Sequence, residues 1–84
     1  MSGGTQYSEA TSAAKAYQQA IQAHVAAKKA PHTGSATSDR LKAAATARTK
    51  AEQAFTTKYT LYFNSMTESE QRAQPRSYFV NENP

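Results

Sequence analysis

Along residues 8–30 the apolar positions recur at the three- and four-residue spacing of a helix. At about 100° per residue, Ala10, Ala14, Tyr17, Ile21 and His24 share one side, broadened by Ala13, Ala16, Ala20, Ala23 and Ala27. Lys15, Gln18, Gln19, Gln22 and Lys29 fall on the other side. Thr5 or Ser8 suits the start, with Glu9 at the positive end of the helix dipole and Lys28 and Lys29 at the negative end. Pro31 stops the run, and residues 31–37 are loop chemistry throughout. Residues 1–7, with Gly3 and Gly4, read as a flexible N-terminal arm.

A second helix is predicted over 38–66, with Ser38 as its cap and Asp39 in its first turn. Leu41, Ala44, Ala45, Phe55, Tyr59, Tyr62, Phe63 and Met66 share one face, while Ala47, Ala54 and Leu61 form a narrower line well round from it. Thr67 followed by Glu70 has the capping-box pattern, which predicts a short helix over 68–74 ended by Pro75. Residues 75–84, carrying Tyr78, Phe79 and Val80, read as an extended C-terminal arm. The expected fold is all-α: an Ala-rich antiparallel helical hairpin with a short third helix and that arm, residues 8–74 forming a single domain. Folding about Gly34 sets Tyr17 against Ala51, Phe55 against Ala13 and Ile21 against Ala47, large side chains against small ones.

Composition makes this core thin. Ala occupies 17 of the 84 positions, whereas Leu, Ile, Val and Phe together occupy 8. So few large apolar side chains leave little to bury in a chain near the lower size limit for an independent core. A partner or a second copy is therefore expected to complete it. Two apolar surfaces are one more than a hairpin needs. The surplus is either an interface, with Phe55, Tyr59, Tyr62, Phe63, Tyr78 and Phe79 as its contacts, or a surface that the C-terminal segment folds back to cover.

Candidate chemistry is sparse. Cysteine is absent, which excludes disulfides, thiolate metal sites and a cysteine nucleophile. His24 and His32 lie eight apart, one on a helix and one in a loop, without metal-ligand spacing. No phosphate-binding loop, dinucleotide fingerprint, zinc-protease motif or nucleophile elbow occurs. No enzyme, cofactor or metal site is expected. The N-terminus lacks the charged and apolar regions of a signal peptide, and no apolar run approaches a membrane span, so a soluble cytoplasmic or virion-resident protein is expected.

Charge is divided unevenly within the net +4. Residues 10–51 hold Lys15, Lys28, Lys29, Arg40, Lys42, Arg48 and Lys50 against Asp39 alone. The rest holds Lys58, Arg72 and Arg76 against Glu9, Glu52, Glu68, Glu70 and Glu82. The positive loop end offers an alternative partner, a nucleic-acid backbone held by Lys28, Lys29, His32, Arg40 and Lys42. Arg48 stands on the apolar face of its helix and about one turn from His24 across the hairpin. There it either grips an acidic group of a partner or runs along Ala side chains to water. The leading expectation is a non-enzymatic protein-interaction or assembly module, oligomeric, of the kind found among small phage or viral structural and accessory proteins or inhibitors.

Overall fold

The computed structural model describes residues 2–30 and 35–84. It contains α1 (Ser2–Lys29), α2 (Ser35–Ser65), α3 (Glu68–Ala73) and α4 (Arg76–Phe79). The fold is the all-α hairpin that the periodicity predicts, drawn out to 51 × 18 × 13 Å. Its two long helices run antiparallel. Tyr7 meets Tyr62, Glu9 meets Lys58, Tyr17 meets Phe55 and His24 meets Arg48, so one number falls as the other rises.

The inward face of α1 is the predicted one. Ala10, Ala14, Tyr17 and Ile21 are buried, and His24 is half-buried at its end. On α2, Phe55, Tyr59, Tyr62 and Met66 are buried, with Phe63 packed beside them. The observed contacts add ring-on-ring pairing to the expected large-on-small packing. Tyr17 meets Phe55 ring on ring at 5.8 Å, one turn beyond Ala51, while Ala13 and Ala51 pack at the margin of the same cluster. Tilted aromatic pairing brings its own attraction, which direct Tyr-on-Ala facing lacks.

Several boundaries move. α1 begins at Ser2, so the expected N-terminal arm 1–7 is helical from there. Tyr7 stacks on Tyr62 at 5.4 Å and approaches Phe79 edge-on at 6.0 Å. Such tertiary contacts override the poor helix propensity of Gly3 and Gly4. Glu9 consequently lies inside the helix and pairs with Lys58 at 3.2 Å rather than facing the helix dipole. α2 begins at Ser35 instead of 38, which places Ser38 and Asp39 beyond its start. Residues 31–34 of the expected loop lie outside the described residues.

α3 carries the predicted capping box. The Thr67 hydroxyl accepts from the Glu70 amide at 3.3 Å, and the Glu70 carboxylate accepts from the Thr67 amide at 3.0 Å. Donation from the Thr67 amide, with a further contribution from the Thr67 side chain, holds the Glu70 carboxyl below its ordinary pKa. The arm 75–84 is not wholly extended, because Arg76–Phe79 form a single helical turn behind Pro75. That turn swings Phe79 onto Phe55, Tyr59 and Tyr62 and leaves Val80 extended and buried.

Candidate functional site

The surplus aromatic surface is closed within the chain. Phe55 is 0% exposed, Tyr59 and Tyr62 are buried, and Phe63 and Phe79 are half-buried among them. The Tyr59 hydroxyl donates to the Gln74 carbonyl at 3.0 Å and the Tyr62 hydroxyl to the Gln74 side-chain oxygen at 2.7 Å. Burial raises both phenol pKa values, so these hydroxyls stay protonated donors. Gln71 donates to the Phe63 carbonyl at 2.8 Å, tying α3 to the end of α2. Of the six aromatics expected at an interface, only Tyr78, 59% exposed, remains on the surface.

Residues 80–82 then cross the hairpin as a strap held largely by polar side chains. Gln18 clasps the Asn81 backbone twice: its amide nitrogen donates to the carbonyl at 3.1 Å, and its oxygen accepts from the Asn81 amide at 2.6 Å. Arg76 donates to Thr56 at 2.9 Å and to the Glu82 carboxylate at 2.5 Å, with its guanidinium 5.0 Å from the centre of the Phe55 ring. Burial raises the Tyr17 phenol pKa, and the nearby Glu82 carboxylate raises it further. Sequence reasoning passed over Gln18 and Arg76. Gln18 sits on the polar side of α1, and nothing local marks it as a clasp.

Arg48 is turned inward. Its Nη1 approaches His24 Nδ1 at 3.2 Å, and its Nη2 donates to the Glu82 carbonyl at 2.9 Å. Arginine only donates, so Nδ1 is the acceptor and the neutral ring carries its proton on Nε2. Both guanidinium nitrogens named here have partners within the chain, so Arg48 serves the strap. Its replacement is expected to loosen residues 80–82.

This pair makes folding pH-dependent. Desolvation lowers the His24 pKa below its ordinary 6.5, and the Lys28 and Arg48 charges lower it further. The unfolded chain therefore takes up this proton first on acidification. The associated stability is present above the ordinary histidine pKa and is lost as pH falls through the depressed folded value. His24 is half-exposed, so the loss is modest. An NMR titration of the His24 ring should give a midpoint below 6.5 in the folded chain, and His24→Gln should flatten stability between pH 7 and 5. A midpoint at or above 6.5 would contradict the accepting role of Nδ1.

The basic loop end is exposed at Lys28, Lys29, Arg40 and Lys42, and His32 lies outside the described residues. Among the described residues the ion pairs are Lys58 with Glu9, Arg72 with Glu68 and Arg76 with Glu82, so Lys29, Arg40 and Lys42 enter none. These cations do not form one stripe. Arg40 and Lys42 are two residues apart and project about 200° apart around α2.

On the side away from the strap lies a groove of about 340 Å³. Ala23, Ala26, Ala27 and Ala30 of α1 and Ala44 and Arg40 of α2 line it. Ala23, Ala27 and Ala30 are about 140°, 180° and 120° round α1 from Gln18, with Ala26 nearer at about 80°. On α2, Ala54 is about 200° round from Thr56, which receives Arg76. Ala47, Ala54 and Leu61 are all exposed on this open side, Leu61 at 50%. Among the described residues no three His, Asp or Glu side chains gather as metal ligands, and no helix is long and apolar enough to cross a membrane. Compared with known proteins, the chain matches no family model, no curated protein and no solved structure.

Proposed function

We propose that this chain is a non-enzymatic protein-interaction module that self-associates, a small structural or accessory protein in an assembly. The observation carrying this reading is the uncovered side of the hairpin. The strap closes one side with Phe79 and Val80, whereas the opposite side presents small residues, a groove and the half-exposed Leu61. Three of the ten buried side chains among the described residues are alanines, so the core of one hairpin is thin. Helical layers gain stability by burying an apolar stripe against another layer, and a second copy supplies one.

The test is solution mass by light scattering, from low to high micromolar protein at two salt concentrations. A defined oligomer that persists at high salt is the expected result, because apolar burial does not weaken with salt. A monomer under every condition would remove self-association.

The exposed Lys29, Arg40 and Lys42, lacking ion pairs among the described residues, favour a second reading in which the loop end holds a nucleic-acid backbone. Binding of that kind weakens steeply with salt and would be abolished by reversing charge at Lys28 and Lys29. The scattered projection of Arg40 and Lys42 places it second.

A further inference from the structure

We propose that two copies pack antiparallel through the open side, with Leu61 of each seated in the Ala-lined groove at the loop end of the other. The proposal rests on the self-association reading and specifies its surface.

The first support is spacing. Arg40, Ala47, Ala54 and Leu61 stand seven apart on α2, so they fall nearly in line, drifting only about 20° per step. All four are exposed. A two-fold axis midway between Ala47 and Ala54 sets Ala47 of one copy opposite Ala54 of the other, and the reverse. Two alanines at the crossing allow helix axes to approach toward the short end of the usual ~8–10 Å range.

The second support is where this operation carries Leu61. Both Leu61 and Arg40 lie about 16 Å along α2 from the midpoint, on opposite sides of it. Antiparallel pairing therefore brings Leu61 level with the partner copy's Arg40, which lines the groove. The groove is otherwise walled by alanine, and Leu61 is the exposed large aliphatic side chain of the described residues. A branched apolar side chain faces a cavity lined by methyl groups, twice over, in one isologous interface.

The third support is charge. An antiparallel pair lays the net-positive loop half, where residues 10–51 hold seven cations against Asp39 alone, along the other copy's half in which Glu9, Glu52, Glu68, Glu70 and Glu82 outnumber Lys58, Arg72 and Arg76. A parallel pair would lay positive on positive. The product is a four-helix arrangement of two hairpins, each still closed on its outer side by its own strap.

Because the chain lacks cysteine, single cysteines report the geometry directly. Full-length Ala47→Cys and Ala54→Cys chains are mixed in equal amounts and oxidised. The mixture should form a disulfide between the two variants, while each variant alone stays unlinked, since like positions sit about 10 Å apart along the axis. Leu61→Lys, at an exposed position, should keep its helical circular dichroism and weaken the dimer at least about a hundredfold. Linking within each single variant, or a dimer untouched by Leu61→Lys that fails to link in the mixture, overturns this geometry and leaves self-association standing. A monomeric wild-type chain at every concentration overturns both readings and leaves the open side to a foreign partner.

Discussion

A Phe55→Ala chain is expected to lose its cooperative unfolding transition. Phe55 is fully buried at the centre of the aromatic cluster, between Tyr17 at 5.8 Å and Tyr59 at 5.6 Å, with Phe79 beyond at 6.4 Å. The Arg76 guanidinium lies over its ring, so the strap loses a contact as well. Replacing a buried phenylalanine with alanine costs about 3–5 kcal/mol. A chain of this length has a total stability of about 4–13 kcal/mol, and its alanine-rich core argues for the lower end. Urea titration followed by circular dichroism should show a shallow, early or absent transition. A variant that still unfolds in one sharp step, with its midpoint hardly moved, would place the centre of the core elsewhere.

Val80→Asp is expected to release the strap and spare the hairpin. Val80 is 3% exposed in the cluster formed by Ala14, Tyr17, Ile21, Phe55 and Tyr59. Stability should fall by at least the ~1.5–3 kcal/mol that burying a valine is worth. The cost is bounded, because the strap can leave as a unit and take the carboxylate into water. Trypsin should then cut rapidly after Arg76, and a dye that binds exposed apolar surface should brighten as Tyr17, Phe55 and Tyr59 are uncovered. Retained helix content with both signals marks local release. Loss of helix content along with them would mean that the strap is part of the minimal fold.

These two variants probe different parts of what could be read in advance. The side of α2 that carries Phe55 follows from a 3.6-residue period displayed locally, but the same residue also stood among the six aromatics expected at an interface, and the structure buries it. The C-terminal segment was legible as aromatic and adhesive, and its fate was open. Covering its own hairpin and docking on another molecule satisfy the same side chains. The structure takes the first course: of the interface expected at Phe55, Tyr59, Tyr62, Phe63, Tyr78 and Phe79, the first three are buried, Phe63 and Phe79 are half-buried, and Tyr78 stays exposed. The narrow line of Ala47, Ala54 and Leu61, a minor feature of the helical wheel, is then what stays open.

Arg48 and Gln18 show the same division at single residues. A helical wheel puts Arg48 among apolar neighbours and leaves its purpose undecided between a partner and solvent. The observed answer, a bond to the Glu82 carbonyl, depends on a residue 34 positions away. Gln18 reaches Asn81 across 63 positions. The start of α1 also came from afar, through Tyr7 against Tyr62 and Phe79.

By itself, then, the sequence determined the helical class, the hairpin, the buried faces and the α3 capping box. Each depends on residues a few positions apart or on the Pro31 and Gly34 that separate the two helical patterns. Only the tertiary structure decided where α1 begins, what Gln18 and Arg48 hold, and which apolar side remains open. Those outcomes turn on contacts between distant segments, whose meeting is set by three-dimensional packing and leaves no local periodicity to read.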